Sequence, residues 1–276
     1  NRVFLTFKHR FINSYIQLKS SYYNEENIYT DSIRSIFGNN PCKTFINQID
    51  LSKSINDFNL LKFNLTNSLA NSNGNNFNET ARINRTSFTS SFKINNPDFK
   101  LKHILTTSIL FDYNNLSPIT FTYSLKREFL NQFNVYLNTG KVYRFPTIND
   151  LYWNPGGNEN LLPENGYTSD LGLVFTKKVN KATLTFEPSL YSRWIDNWIL
   201  WQPNGDFWSP MNVKKVWNRG IETSSKFNIS NKKLDHQFTI KTAYNMSTNV
   251  EVENSNNGSL NKQLIYTPHY KLVFKS

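Results

Sequence analysis

The sequence predicts an all-β protein, and specifically a transmembrane antiparallel β-barrel. Three observations lead to this prediction. Apolar and polar residues alternate with a period of two along most of the chain, which is typical of strands. Several alternating segments exceed ten residues, which is longer than most strands of soluble sheets and long enough to cross a membrane at a tilt. Short turns also alternate with longer polar connections, as they do in outer-membrane barrels.

The alternation assigns residues to two faces of each strand, because successive side chains of a strand point to opposite sides. We expect the apolar set to face lipid and the polar set to face the lumen. The residues expected to face lipid are Leu61, Phe63, Leu65, Phe121, Tyr123, Phe238 and Ile240, and those expected to face the lumen are Lys62, Thr66, Thr122, Lys126 and Thr239. The aromatic content of 15% also favours strands.

About thirteen strand-like segments occur along the chain, and none of the chain is convincingly helical. Tight turns are expected near 11–13, 54–58, 95–98, 130–132, 178–181 and 230–235, and longer polar connections at 24–43, 70–85, 112–118, 142–167, 197–214 and 248–268. A soluble sheet with one solvated face would explain the alternation, but it gives no reason for the long connections to lie on one side. We therefore predict a membrane barrel to which this chain contributes about 13 strands.

Composition excludes several functional classes. No apolar run approaches the roughly 18 residues of a membrane-spanning helix. A single cysteine, Cys42, cannot form an internal disulfide, and the four histidines lie far apart, so we expect neither a metal site nor a cofactor. The net charge of +11 is scattered singly along the strands, and nucleic acid is not an expected partner.

Three motifs occur in order in the second half of the chain. The first is carried by Tyr143, Arg144, Pro146, Asn149, Asp150, Leu151 and Tyr152, the second by Gly157, Asn158, Leu161, Pro163 and Glu164, and the third by Asn212, Arg219, Gly220, Ile221 and Glu222. Together with "YTPHYKLVF" at 266–274, they resemble the barrel motifs of TonB-dependent outer-membrane receptors. Residues 1–142 resemble that family only in their pattern of strands and loops.

The resemblance implies a receptor in the outer membrane of a Gram-negative bacterium, with no catalytic residues. It would import a scarce nutrient such as cobalamin or a ferric siderophore by TonB-dependent active transport, with outer-membrane lipid, TonB and the cargo as partners. The resemblance further implies a plug domain inside a 22-stranded barrel, and nothing in this chain resembles the plug. Residues 1–276 are therefore expected to be an internal part of the barrel domain, a partial barrel with about 13 of the 22 strands. The alternatives are a passive outer-membrane channel, a soluble carbohydrate-binding β-sandwich and an outer-membrane enzyme.

The resemblance also indicates candidate site residues in the long segment 142–167. We expect the motif residues to shape the barrel wall and the base of the loop. Arg144 and Glu164 are expected to form a charge pair of about 0.2–1 kcal/mol that ties the loop base, with Pro146 and Pro163 stiffening the two exits. Ligand contacts are expected from Trp153, Trp201, Phe207 and Trp208, which offer flat aromatic surfaces. Trp194 and Trp198 are expected in an aromatic girdle at the membrane interface.

Overall fold

The computed structural model describes residues 1–31, 36–77, 81–130, 132–231, 234–252, 258–265 and 267–275. Within them lie fourteen strands and one short helix. The strands are β1 (Arg2–Arg10), β2 (Ser14–Asp31), β3 (Ile36–Ser54), β4 (Asn59–Ser72), β5 (Ala81–Asn96), β6 (Leu101–Asp112), β7 (Asn115–Leu116), β8 (Thr120–Leu130), β9 (Phe133–Arg144), β10 (Glu164–Val179), β11 (Ala182–Asn204), β12 (Phe207–Asn231), β13 (Leu234–Glu251) and β14 (Tyr270–Lys275), and the helix is α1 (Ile148–Tyr152).

The strands form one antiparallel sheet in chain order, from β1 at one edge to β14 at the other. The two-residue strand β7 pairs only with β6, so thirteen strands make up the continuous path. This confirms the predicted class and the predicted number of strands. Each strand pairs with its neighbours along the chain, which is the up-and-down topology of membrane barrels. Among the described residues, no helix has the length and apolar character needed to cross a membrane.

The pairing register shows that the two predicted sets of residues lie on opposite faces of the sheet. Directly opposed residues of antiparallel strands share a face. Successive opposed pairs connect Phe63–Ser90–Thr107–Phe121 on one face and Lys62–Ser91–Thr106–Thr122 on the other. The first face is apolar and open to its surroundings, since the side chains of Phe121 and Phe238 are 41% and 48% exposed. A broad exposed apolar face of this kind is expected to contact lipid.

The buried core lies towards one end of the sheet. Among the described residues, the buried hydrophobic side chains are Ala70, Phe77, Ala81, Phe145, Leu161, Ile195, Ile199, Val216 and Leu264. All of them belong to the long connections or to the parts of the strands nearest to them. The core therefore forms at the long-connection end of the sheet, where the 145–163 and 258–265 segments lie, and not along the middle of the strands.

Short turns join the strands at the opposite end, as expected, at 11–13, 55–58, 97–100 and 180–181. The turns predicted near 130–132 and 230–235 lie partly outside the described residues. At the long-connection end, the prediction of loops at 24–43 and 197–214 is wrong. There β2 and β3 stay paired as far as Asp31 and Ile36, and β11 and β12 as far as Asn204 and Phe207.

These extended strands contain polar residues because they continue beyond the lipid, where backbone pairing does not require apolar side chains. A strand of 23 residues such as β11 is about 75 Å long, whereas the hydrocarbon layer is about 30 Å thick. The β11–β12 hairpin therefore projects well past the membrane. Its tip contains Gly205 with φ +62°, a conformation that glycine adopts readily.

The two-face assignment predicts the result of cysteine labelling in the full receptor. Leu65→Cys and Phe121→Cys should react with a lipid-soluble maleimide, because the apolar face contacts lipid. Lys62→Cys and Thr122→Cys, which lie on the polar face of the same two strands, should react with a water-soluble maleimide. The two variants on the apolar face and the two on the polar face serve as controls for each other. The reverse pattern would contradict the assignment of the faces.

Candidate functional site

The 145–163 loop begins and ends at a charged pair. Arg144 is the last residue of β9 and Glu164 the first residue of β10, and the two are directly opposed. The Arg144 Nε donates to the Glu164 Oε2 at 2.6 Å, which confirms the predicted pair. The Glu164 side chain is only 16% exposed, and its second oxygen accepts from the backbone N–H of Ile199 at 2.9 Å. The base of the loop is therefore joined to β11 as well.

Asp150 is the centre of the loop's polar contacts. Its carboxylate is buried, and the Oδ2 accepts from the backbone N–H and the hydroxyl of Thr147, both at 2.8 Å. The Thr147 hydroxyl in turn accepts from the Asp150 N–H, which completes a capping box at the start of α1. The Oδ1 accepts from the Trp201 Nε1 at 2.8 Å, and the Arg144 Nη1 lies 3.6 Å from the Oδ2.

The capping box corrects the prediction that this part of the chain contains no helix. The Thr-x-x-Asp spacing of Thr147 and Asp150 is itself a signal for a helix start. The helix is a single turn of five residues, too short to show the apolar periodicity by which helices are recognised.

The Gly-Gly turn of the loop packs against the β11–β12 hairpin. Gly156 has φ +120°, and a Cβ at this position would lie 2.0 Å from the Trp208 carbonyl oxygen. The Ser209 hydroxyl donates to the Gly156 carbonyl at 2.7 Å, and the Asn158 side-chain amide donates to the Pro210 carbonyl at 3.2 Å. Only glycine fits this close approach of the two backbones.

Asn212 holds the end of the loop. Its side-chain oxygen accepts from the Leu162 N–H at 2.8 Å, and its side-chain nitrogen donates to the carbonyls of Leu162 and Asn197 at 3.0 and 2.8 Å. The Asn197 amide lies 3.5 Å from the Pro163 carbonyl, to which it donates. Asn212 is the first residue of the third motif, so these contacts bring the second and third motifs together in space.

On its other side the loop is held by Arg85 of β5, a residue that sequence analysis missed. The Arg85 Nη2 donates to the Pro146 carbonyl, and its guanidinium lies over the Phe145 ring at 5.6 Å. Its Nε donates to the Asp112 Oδ2 at 2.9 Å. Neither Arg85 nor Asp112 belongs to a recognisable motif, because the pair is formed across strands that are distant from the loop in sequence.

The remaining motif residues fall into two groups. The first group lies within the loop or at its base. Tyr143 packs edge-on against Phe145, with ring centroids 5.1 Å apart. The Trp153 N–H donates to the Asn149 carbonyl at 3.2 Å, and the Gly157 N–H donates to the Trp153 carbonyl at 2.5 Å. Arg219, Gly220 and Glu222 lie apart from the loop on β12. A Cβ at Gly220 would lie 2.2 Å from the Tyr244 carbonyl oxygen, so this glycine serves strand packing.

Two cavities adjoin the end of α1. The larger, about 650 Å³, is lined by Trp153 and by the 154–160 segment, and the smaller, about 460 Å³, contains Asp112 and three tyrosines. Leu151, Tyr152 and Glu159 line both. Burial raises the pKa of the Tyr152 hydroxyl above its usual value, and the charge of Glu159 raises it further, so Tyr152 remains a hydrogen-bond donor at neutral pH.

The lining of these cavities is acidic or uncharged. Among the residues that the structure describes, neither cavity is lined by lysine or arginine, and no group of three His, Cys, Asp or Glu side chains could hold a metal ion. The arrangement suits a ligand that is uncharged or positively charged and that offers hydrogen-bonding groups.

The four aromatic residues expected to contact ligand lie in different surroundings. Trp153 lines the larger cavity and packs edge-on against Phe77 at 5.9 Å. The indole N–H of Trp201 is already bonded to Asp150, which gives Trp201 a positioning role. Phe207 and Trp208, at the hairpin tip, are 39% and 43% exposed. Contact of the four with ligand stays a prediction.

We predict that Asp150→Ala loosens the 145–163 loop. The change removes the Asp150 half of the capping box and leaves the N–H groups of Thr147 and Trp201 without their acceptor, at a cost of about 1–3 kcal/mol each. In hydrogen–deuterium exchange of the full receptor, peptides from 145–163 should exchange about tenfold faster or more. Asp57→Ala, in an exposed short turn at the opposite end, should leave this exchange unchanged. Equal loop exchange in the wild type and Asp150→Ala would contradict the assigned role.

Comparison with known proteins places the whole sheet in one family. Residues 1–275 match the family model described as "TonB dependent receptor-like, beta-barrel". The chain is 33% identical over 120 residues to the vitamin B12 transporter BtuB of Photobacterium profundum, covering 41% of this chain and 18% of the relative. It is 35% identical over 95 residues to the vitamin B12 transporter BtuB of Vibrio vulnificus, covering 33% of this chain and 14% of the relative.

Solved structures share the fold at low sequence identity. The siderophore receptor PirA from Pseudomonas aeruginosa superposes with a TM-score of 0.70 at 12% identity, covering 90% of this chain and 50% of that structure. PirA from Acinetobacter baumannii superposes with a TM-score of 0.71 at 11% identity, covering 98% of this chain and 46% of that structure. The chain thus spans at most half the length of these relatives. It belongs to the TonB-dependent receptor family, and its strands form part of that family's outer-membrane β-barrel.

Proposed function

We propose that the chain is part of an outer-membrane receptor that imports a scarce nutrient by TonB-dependent active transport. The observation that carries the proposal is the 145–163 loop, which packs against the sheet at the long-connection end of a chain matching the receptor family from residue 1 to 275. The family consists of receptors and transporters rather than enzymes, and we propose no catalysed reaction.

The 145–163 loop is evidence for a receptor function because contacts within the protein already hold it in place without cargo. Arg85 fixes its start to β5, and Asp150 and Asn212 fix its middle and end to the β11–β12 hairpin. A binding surface that is already ordered loses less conformational entropy when a ligand binds. The two cavities beside α1 then offer cargo a shaped and partly apolar surface. TonB, acting through other parts of the receptor, would supply the energy for release into the periplasm.

The charge of the cavities favours cobalamin over a ferric tris-catecholate as cargo. A ferric tris-catecholate is an anion, and it would face Glu159 without any lining lysine or arginine, since the charge of Asp112 is already balanced by Arg85. Like charges brought together at an interface cost several kcal/mol. Cobalamin carries many amide groups, which can exchange hydrogen bonds with tyrosines and backbone groups. The relatives with 33% and 35% identity are both vitamin B12 transporters, which supports the same choice.

We predict that the full receptor binds cyanocobalamin and that Trp153→Ala weakens this binding about tenfold, or about 1.4 kcal/mol, because Trp153 supplies the flat aromatic wall of the larger cavity. Binding can be measured by isothermal titration calorimetry in detergent. Trp194→Ala removes a tryptophan from the apolar face and should leave the affinity unchanged. Tighter binding of ferric enterobactin than of cyanocobalamin would exclude the proposed cargo.

Energy coupling separates an active receptor from a passive channel. Cells that produce the full receptor should accumulate radiolabelled cyanocobalamin when TonB is present, and accumulation should fall to the background level when TonB is deleted. The control is a strain that contains TonB but no receptor. Uptake that is equal with and without TonB would support the passive channel instead.

A further inference from the structure

A row of aromatic side chains crosses the apolar face near the long connections. Tyr167 of β10 is opposed to Trp194 of β11, which is opposed to Trp217 of β12. The rings of Trp194 and Trp217 stack with centroids 4.6 Å apart and an interplanar angle of 13°. Aromatic side chains on the lipid side of a barrel concentrate at the level of the lipid headgroups. The row therefore marks the interface of the outer leaflet.

Polar residues lie on the same apolar face, one row nearer the middle of the strands. Thr139, Ser169, Ser192 and Arg219 are opposed in succession across β9 to β12. The Thr139 and Ser169 hydroxyls are 2.9 Å apart, and the Ser192 hydroxyl accepts from the Trp217 Nε1 at 3.0 Å. Together with Lys141, these four residues form what we call the lipid-side patch. Hydroxyl side chains also occur elsewhere on this face, at Ser90 and Thr107, but cations are unexpected where strands face lipid.

The two cations of the patch are not neutralised within the part of the chain that the structure describes. The guanidinium of Arg219 lies 3.7 Å from the centroid of the Trp217 ring, and its Nη1 donates to the Thr248 hydroxyl at 3.1 Å. Lys141 is flanked by Phe121 and Tyr167. Neither cation takes part in any of the ion pairs among the described residues. An anion at this interface would complete the charge balance.

A shallow apolar groove lies directly below the patch on the same strands. Its volume is about 320 Å³, at the lower end of the range for small-molecule sites. It forms where pairing between β10 and β11 is interrupted after Gly172 and Ser189, beside Pro188, which has no N–H to donate. The apolar side chains that line it are those of Val135, Leu171, Leu173, Pro188, Leu190 and Ile221.

We propose that the patch and the groove together bind one phosphorylated lipid of the outer leaflet. An acyl chain occupies the groove, and the phosphates contact Lys141 and Arg219. On β10, β11 and β12 the patch residue lies two positions from a groove residue, a separation of about 7 Å. Lys141 and Arg219 lie three strands apart and one row apart, which places their Cα atoms roughly 16 Å from each other. The site therefore fits a headgroup carrying two separated phosphates. The cations match the phosphates of such a lipid, the hydroxyls match its polar headgroup, and the groove matches an acyl chain.

Native mass spectrometry of the full receptor in detergent tests this proposal with bisphosphorylated lipid A as the probe. The wild type should retain one lipid molecule, and the double variant Lys141→Gln/Arg219→Gln should retain at least tenfold less. Lys141→Gln alone should reduce retention several-fold, and it leaves the Arg219–Trp217 stack intact in case the double variant fails to fold. Arg193→Gln is the matched control, because Arg193 also lies over an aromatic ring, that of Tyr191 at 5.2 Å, but on the polar face.

Two further arms identify the source of the phosphate. Lipid A from which both phosphates have been removed should not be retained, and inorganic phosphate at equal concentration should not displace the intact lipid, because it cannot fill the groove. Equal retention of the intact and the dephosphorylated lipid would overturn the proposal. It would also be overturned by full displacement with inorganic phosphate, or by unchanged retention in both Lys141 variants.

Discussion

Backbone hydrogen bonding between neighbouring strands is the constraint on which the rest of this structure depends. In a membrane every N–H and C=O group needs a partner within the protein, and the sheet supplies partners by pairing each strand with its neighbours in chain order. This pairing fixes the register, and the register decides which face every side chain occupies. The two faces, the aromatic row and the lipid-side patch all follow from it.

The same constraint leaves little room for a conventional core. One face contacts lipid and the other is polar, so the described apolar core is confined to the end where the 145–163 loop packs. Polar contacts hold that loop more than apolar ones do. Asp150 is buried, yet it accepts from Thr147 and Trp201 and lies beside Arg144, so its burial is compensated.

The charges near each proposed binding site do not follow from the net positive charge of the chain. The chain carries +11, yet the cavities of the loop are lined by carboxylates and tyrosines. Two arginines lie near the cavities, but both form ion pairs: Arg85 with Asp112, and Arg144 with Asp150 and Glu164. Lys141 and Arg219 lie on the lipid side instead. The proposed cargo site and the proposed lipid site thus differ in sign, and they would select ligands of different charge.

The sequence by itself determined the fold class, the number of strands, the two faces and the Arg144–Glu164 pair, because each depends on local alternation or on the two ends of one hairpin. Contacts between distant strands were decided only by the tertiary structure. Arg85 reaches Pro146, Trp201 reaches Asp150, and Asn212 reaches Leu162, and no local pattern encodes such partners. The lengths of β3 and β11 were also misjudged, because outside lipid backbone pairing continues whatever the polarity of the side chains.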